Sequence, residues 1–226
     1  IPGSLTIANG KFYGMACQGG TYGKGVIFEW NPEANSFSNR FSFDGTEQGS
    51  NPQGSLTYLN SKFYGMTSLG GAFNNGVIFE WDPVTNVIIK RIDFNGENGR
   101  NPYGQLLMFN GKFYGLTSEG GGYYDRDGTL FEWVPATNTL TNKVVFYQTY
   151  QNKMGEHPYG SLAMYKGKLY GMTLAGGTNG GGVIFEWNPT TNVYYKKIDF
   201  NTVTGFQPLG SLALSNGKFY GMTKNG

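Results

Sequence analysis

The sequence has 226 residues and is rich in glycine (37), tyrosine (16) and phenylalanine (17), while charged residues make up only 14%. Its formal net charge of +2 is spread along the chain, so a basic surface that binds nucleic acid is not expected. A single cysteine rules out an intrachain disulfide, and the absence of any apolar run near 18 residues argues against a membrane span.

One motif returns along the chain at nearly constant intervals, and its Tyr-Gly steps lie 51, 50, 56 and 50 residues apart. Four complete copies begin with KFYGMACQGG, KFYGMTSLGG, KFYGLTSEGG and KLYGMTLAGG, and a shorter fifth copy ends the sequence. Such a period is typical of a repeat architecture. We predict one propeller segment over 1–226, with repeats 2–51, 52–101, 102–157 and 158–207 and a partial repeat 208–226.

Each repeat contains four strand candidates joined by hairpin-length connections, which in the second copy are 54–59, 62–67, 76–81 and 87–94. Asn-Gly steps such as Asn110-Gly111 suit the first turn because both residues accept positive φ. In the last turn Pro83 presets φ and Asn86 can take the left-handed position. Because both faces of GVIFEW are largely apolar, each sheet needs a neighbour on both sides. We therefore predict an all-β fold, a β-propeller of four-stranded antiparallel blades with about 50 residues per repeat and four full repeats plus a half.

The copies resemble the kelch repeat in outline, with a strand that ends near Gly-Gly followed by a spaced aromatic residue and a tryptophan. They are more similar to a bacterial tandem repeat of the GloVer type, whose pattern YGMT..GG....G.IFEW.P is matched at 64–67, 70–71 and 79–81. This resemblance covers nearly the whole chain. It implies a propeller in secreted or surface-anchored bacterial proteins, without catalytic residues. Ala16, Leu169 and a longer third repeat depart from the pattern and leave the predicted fold unchanged.

Two residue types recur once per full copy in adjacent positions. We predict that the tryptophans lie in the core rather than forming a ladder for stacking sugars: Trp30, Trp81, Trp133 and Trp187. Antiparallel pairing should place each preceding glutamate beside the lysine that opens the neighbouring strand, as a modest ion pair: Glu29, Glu80, Glu132 and Glu186. One carboxylate per blade does not supply the paired carboxylates of a glycosidase. We predict neither enzyme activity nor a cofactor.

The single histidine and the single cysteine also receive structural interpretations. His157 has no other histidine or clustered cysteine to complete a zinc site or a catalytic triad, and its place before Pro158 predicts a solvent-exposed side chain. Cys17 stands where other copies carry serine, leucine or lysine, which indicates an ordinary substitution.

Function is expected where the copies differ. The connections between the second and third strands and those between repeats are long and divergent, and a four-stranded meander brings both to one face. The candidate ligand-binding residues are aromatic side chains on this face: Tyr22, Phe73, Tyr103, Tyr123, Tyr124 and Tyr159. Asp125 and Asp127 alternate as in a calcium loop but lack its third ligand and its terminal glutamate, so a solvated turn is favoured over a metal site.

These observations predict a non-catalytic binding module of a secreted or cell-surface bacterial protein, with a glycan or protein ligand on the loop-rich face. The alternative is a structural spacer or a fragment of a larger secreted propeller protein, and a carbohydrate-active enzyme is the least expected function. The sequence begins directly on a repeat without a targeting segment, which suggests a mature product or a fragment. Because the fifth copy supplies two strands, we expect further blades of the same protein or another chain to complete the ring.

Overall fold

The computed structural model describes residues 3–122, 127–147 and 153–226, and all regular secondary structure in these ranges is β-strand. The first four copies each form one antiparallel sheet of four consecutive strands, and the fifth copy forms a two-stranded sheet. Across the described ranges, no helix is long and apolar enough to cross a membrane.

The strands are numbered in chain order, and each sheet is called a blade. Blade 1 contains β1 (Thr6–Ala8), β2 (Lys11–Ala16), β3 (Val26–Asn31) and β4 (Ser36–Ser42). Blade 2 contains β5 (Thr57–Leu59), β6 (Lys62–Thr67), β7 (Val77–Asp82) and β8 (Val87–Asp93). Blade 3 contains β9 (Leu107–Phe109), β10 (Lys112–Thr117), β11 (Thr129–Val134) and β12 (Thr139–Val145). Blade 4 contains β13 (Ala163–Tyr165), β14 (Lys168–Met172), β15 (Val183–Asn188) and β16 (Val193–Asp199), and the half-blade contains β17 (Ala213–Ser215) and β18 (Lys218–Tyr220).

The predicted turn residues adopt the predicted backbone conformations. Asn110 and Gly111 have φ values of 50° and 73° between β9 and β10, and Asn86 has a φ of 59° before β8. The side chain of Asn86 has a second role, because its Oδ1 accepts a hydrogen bond from Trp81 Nε1 at 3.1 Å. Its Nδ2 donates to the carbonyl oxygen of Arg40 in the preceding blade at 2.6 Å. The turn asparagine therefore ties the tryptophan of one blade to the backbone of the blade before it.

The largest buried side chains lie between successive blades. Tyr13 of blade 1 packs against Phe63 and Trp81 of blade 2, with ring centroids 4.5 and 5.8 Å apart. Tyr64 of blade 2 packs in the same way on Trp133 of blade 3, at 5.9 Å. Both of these tryptophans are fully buried. The predicted core position is confirmed for Trp81, Trp133 and Trp187, whereas Trp30 of blade 1 is only partly buried. The core is shared between blades rather than enclosed within one.

The innermost strand of each blade is shorter than the sequence predicts. In blade 2 the strand begins at Thr57 rather than at residue 54, because the preceding segment bonds to other blades. The carbonyl oxygen of Leu56 accepts hydrogen bonds from Thr6 Oγ1 at 2.6 Å and from Gln105 Nε2 at 3.1 Å, one from each neighbouring blade. These contacts join the blades side by side at their inner edges.

A row of glycines sets the spacing of the inner segments. A Cβ on Gly54 would overlap the carbonyl group of Gly104, one on Gly104 would overlap that of Gly160, and one on Gly160 would overlap that of Gly210. The inner segments of all five copies line one cavity of about 390 Å³, which we call the axial cavity. Four-stranded meanders arranged around a common axis constitute a β-propeller.

Candidate functional site

Two of the predicted site residues meet beside the axial cavity. Tyr103 of the third copy and Tyr159 of the fourth copy stack with ring centroids 5.0 Å apart and planes inclined by 24°. Both side chains are half-buried and line the cavity. Each follows a proline and precedes a glycine of the inner row, so the backbone of the propeller brings these rings together. We call Tyr103 and Tyr159 the axial tyrosine pair.

A charged pair lies close to the axial tyrosine pair. Arg100 Nε donates to Glu119 Oε2 at 2.9 Å, and the backbone nitrogen of Arg100 donates to the carbonyl oxygen of Glu119 at 2.8 Å. Burial raises the pKa of Tyr103, with smaller contributions from Tyr159 and the Glu119 carboxylate. Burial also raises the pKa of Tyr159, again with a contribution from Glu119. One carboxylate therefore acts on both phenol groups.

Sequence reasoning missed Arg100 and Glu119, although a signal was present. The structure pairs them as an isolated bridge between the connection from blade 2 to blade 3 and the β10–β11 loop. The corresponding bridge in blade 4 joins Glu156 and Ala175, so the charged pair is peculiar to one blade. Arg100 and Glu119 both differ from the residues at the same positions of other copies, and they carry opposite charges. This combination is the signal by which they could have been added to the predicted site.

The wall of the axial cavity is polar beside the tyrosine rings. Ser55 Oγ accepts a hydrogen bond from the backbone nitrogen of Ser4 at 2.7 Å, and Ser161 Oγ accepts one from that of Gln105 at 2.8 Å. Ser211 Oγ accepts from the backbone nitrogen of Ser161 at 2.7 Å. Serines from successive copies therefore line the cavity together with the tyrosine rings.

The other predicted aromatic residues do not join this cluster in the described structure. Tyr22 and Phe73 are exposed in the β2–β3 and β6–β7 loops and do not line the axial cavity. Tyr123, Tyr124 and Asp125 lie outside the described residues, so their places in the predicted site stay predictions. The structure thus brings together two of the four aromatic candidates that it describes.

Asp127 and His157 lie beside each other in the described structure. Asp127 Oδ1 is 4.0 Å from His157 Nε2, and among the described residues no group of three potential ligands could hold a metal ion. His157 has a φ of 54°, close to the values of Asn51 and Asn101 at the same position of other copies. Its Nδ1 lies 3.0 Å from the carbonyl oxygen of Ser118, and its side chain is only partly exposed. The predicted exposure of the histidine is met only in part, because 36% of its side chain is exposed while this position ties one blade to the next.

The recurring glutamates form the predicted lysine pairs, with further partners. Glu132 is buried, and its carboxylate lies 3.1 Å from Lys112 Nζ, 3.1 Å from Lys143 Nζ and 2.8 Å from the Tyr114 hydroxyl that donates to it. Burial raises the pKa of Glu132, but hydrogen bonds from Tyr114, Lys112 and Lys143 outweigh burial and lower the pKa overall. The pKa of Tyr114 is raised by burial and by its bond to this carboxylate.

A β-bulge supplies the second cation of this cluster. The β11–β12 ladder pairs Leu130 with Val144 and then Phe131 with Asn142, so it skips Lys143. A bulge redirects the side chain of its extra residue, and here Lys143 reaches the buried carboxylate. The same register shift occurs in all four full blades. An arrangement repeated in every blade stabilises the blade and does not mark one reactive site.

The comparisons with known proteins agree with this architecture. The extracellular domain of BT4673 from B. thetaiotaomicron has a TM-score of 0.63 and 11% identity, over 94% of this chain and 24% of that chain. TolB from Acinetobacter baumannii has a TM-score of 0.54 and 12% identity, over 83% of this chain and 40% of that chain. YjhT has a TM-score of 0.58 and 12% identity, over 97% of this chain and 72% of that chain. At such low identity these likenesses show the fold alone.

Sequence comparison identifies the repeat itself. No curated protein matches the chain. The profile described as the Gloeobacter/Verrucomicrobia repeat matches residues 1–146 and 109–226, two overlapping stretches that together span the sequence. The predicted GloVer resemblance is confirmed, whereas the outline likeness to kelch repeats stays a prediction. The chain belongs to the Gloeobacter/Verrucomicrobia repeat family.

Proposed function

We propose that this chain is a non-catalytic binding module of an exported bacterial protein, and that its ligand is a glycan that contacts the axial tyrosine pair. The observation that carries this proposal is the stacking of Tyr103 on Tyr159 beside the Arg100–Glu119 ion pair. All four residues stand at positions where other copies carry different residues. Because the other blades are built without them, the scaffold does not require these side chains.

The chemistry of the cluster favours a carbohydrate among the possible ligands. A sugar ring presents an apolar face that packs on tyrosine, and hydroxyl groups that hydrogen-bond to a carboxylate or a guanidinium. The axial cavity of about 390 Å³ falls in the usual size range of small-ligand sites. Tyrosine also suits protein partners, so a protein ligand is the second candidate.

Export is part of the proposal and is supported by two observations. The repeat resembles one found in secreted or surface-anchored bacterial proteins, and one structurally similar protein is described as an extracellular domain. A structural spacer without a ligand is the competing function, because propellers serve many roles.

The proposal is tested with a panel of polysaccharides immobilised on a surface. Any ligand that binds should lose roughly tenfold or more in affinity in Tyr103→Ala and in Tyr159→Ala, because each removes a packing surface for the sugar ring. Tyr195→Ala is the matched control, since Tyr195 is exposed on β16 and distant in sequence from the cluster. Binding that survives both axial substitutions places the site elsewhere, and a panel without any ligand favours the spacer.

A further inference from the structure

The inner segment of the third copy departs from the other copies at two positions shortly after Tyr103. Gln105 stands where the other copies carry a serine: Ser4, Ser55, Ser161 and Ser211. Leu107 stands where they carry threonine or alanine: Thr6, Thr57, Ala163 and Ala213. Because the other blades are built without a glutamine or a leucine here, the packing of a blade does not require these two side chains.

Gln105 changes how neighbouring inner segments are joined. At the other steps a serine hydroxyl accepts a hydrogen bond from the backbone nitrogen of the preceding copy, as Ser161 Oγ does from that of Gln105 at 2.8 Å. Gln105 has no hydroxyl, and its longer side chain reaches blade 2 instead. Its Nε2 donates to the carbonyl oxygen of Leu56 at 3.1 Å and to Thr57 Oγ1 at 3.2 Å. Both bonds use the Nε2 end of the amide, so its Oε1 can still accept a hydrogen bond from a bound molecule.

Leu107 replaces a second polar contact by an apolar side chain. In blades 1 and 2 the threonine at this position donates to the carbonyl oxygen of the next inner segment, as Thr6 Oγ1 does to Leu56 at 2.6 Å. A leucine cannot donate this bond. Beside Leu107 lies a second cavity of about 270 Å³, which we call the inner cavity. Its wall includes four apolar residues: Leu106, Leu107, Met108 and Leu162.

The inner cavity adjoins the proposed glycan site. Gln105, Ser161 and Leu162 line both the axial cavity and the inner cavity. The boundary between the two cavities therefore carries an amide and a hydroxyl group, and the inner cavity adds leucines and a methionine. All residues of the inner cavity belong to blades 2, 3 and 4, in the middle of the chain.

We propose that the inner cavity takes the acetamido group of an N-acetylated amino sugar whose ring packs on the axial tyrosine pair, and that Gln105 binds this group. The proposal rests on the glycan-binding function proposed above and names its ligand class. An acetamido group carries an amide N–H, which suits Gln105 Oε1, and a methyl group, which gains from burial among apolar side chains. An ordinary hexose carries a hydroxyl group at the same carbon, which leaves the apolar cavity unfilled.

A matched pair of glycans tests the proposal by titration calorimetry. Chitohexaose and cellohexaose share their linkage and length, but each ring of the first carries an acetamido group where the second carries a hydroxyl group. We expect chitohexaose to bind roughly tenfold more tightly or better, because an apolar pocket discriminates by about 10–200-fold for a single methylene group. Any other acetylated member of the polysaccharide panel supports the proposal if it loses affinity once its acetyl groups are removed.

The same titrations separate this proposal from the proposed function. A glycan without acetamido groups that binds as tightly, and that loses affinity in Tyr103→Ala, overturns the assignment of the inner cavity and leaves glycan binding standing. A chain that binds no glycan overturns both.

Two substitutions that introduce the residues of other copies isolate the inner cavity. Gln105→Ser removes the amide, and Leu107→Thr supplies the hydroxyl group that blades 1 and 2 carry. Both variants should fold like the parent and bind the acetylated glycan roughly tenfold more weakly, with the affinity for cellohexaose unchanged. Gln18→Ser is the matched control, since Gln18 is exposed and lines neither cavity. An undiminished preference for the acetylated glycan in Gln105→Ser and Leu107→Thr overturns the proposal.

Discussion

The interior of the blades and the surface around the axial tyrosine pair differ in how their residues are distributed over the copies. The interior repeats the same partners: a buried tryptophan, a buried glutamate with two cations and a glycine at the inner edge. The surface around Tyr103 uses residues found in one or two copies. Repetition is therefore explained by packing, and departures from the repeat mark the surface where we propose that a ligand binds.

The largest expected effect tests the claim that the repeated residues are explained by packing. Trp81→Ala should lower the free energy of unfolding by roughly 3–5 kcal/mol, because the ring is fully buried between blades 1 and 2. Trp30→Ala should cost only roughly 1–2 kcal/mol, because that ring is only partly buried. Urea unfolding of both variants measures the difference. Equal losses would show that the two tryptophans are buried alike and would contradict this account of the core.

The glycine row offers a second contrast between equivalent positions. Gly54→Ala should cost roughly 1–3 kcal/mol or more, because the added Cβ overlaps the backbone of Gly104 and forces the two inner segments apart. Gly210→Ala is the matched control and should be nearly neutral, since it meets nothing within 4 Å. Thermal unfolding of both variants measures the difference. A Gly210→Ala variant that is also destabilised would show that contact between the glycines does not set the spacing of the inner segments.

The buried glutamates predict a dependence of stability on pH. Burial raises the pKa of Glu80, but hydrogen bonds from Lys62 and Arg91 outweigh it, so the pKa in the folded state lies below its ordinary value. Its contribution is fully present above the unfolded pKa of about 4.3 and is lost as the pH falls through the folded value. Glu80→Gln should therefore cost roughly 1.5–3 kcal/mol at pH 7 and less at pH 3.

This expected loss of stability is larger than the loss expected for the modest ion pair that the sequence predicts. The reason is that the Glu80 carboxylate is buried and its two cations, Lys62 and Arg91, are only partly exposed. Urea unfolding of the parent and the variant at both pH values provides the measurement. A difference between them that is the same at pH 3 and pH 7 would mean that the carboxylate charge contributes nothing to stability.

Much of the blade could be predicted from sequence because its determinants are local and repeated. The turn asparagines, the strand order and the buried tryptophans all followed from the spacing within one copy. The hydrogen bond from Trp81 to Asn86 and the onward bond to Arg40 could not be predicted, because they depend on how neighbouring blades are placed. The length of the first strand was overestimated for the same reason, since Leu56 bonds to the adjoining blades rather than within its own sheet.

The candidate site was predicted only in part. Divergence between copies singled out Tyr103 and Tyr159, and the structure stacks them. The same reasoning placed Tyr22 on this face, but the loop of blade 1 does not bring it to the axial cavity. Arg100 and Glu119 were missed because their pairing joins a blade-to-blade connection with a loop, and the signal for them was only that both residues differ between copies and carry opposite charges.

The central claim is that the axial tyrosine pair is not part of what holds the propeller together. The second and fifth copies carry Gln53 and Leu209 at the position of these tyrosines. The most direct test therefore introduces the residues of those copies, in a double variant with Tyr103→Gln and Tyr159→Leu. The free energy of unfolding in urea should stay within about 1 kcal/mol of the parent, because exchanges of partly exposed residues away from the core have small effects. A loss as large as that of Trp81→Ala would contradict the account and assign the pair to the framework.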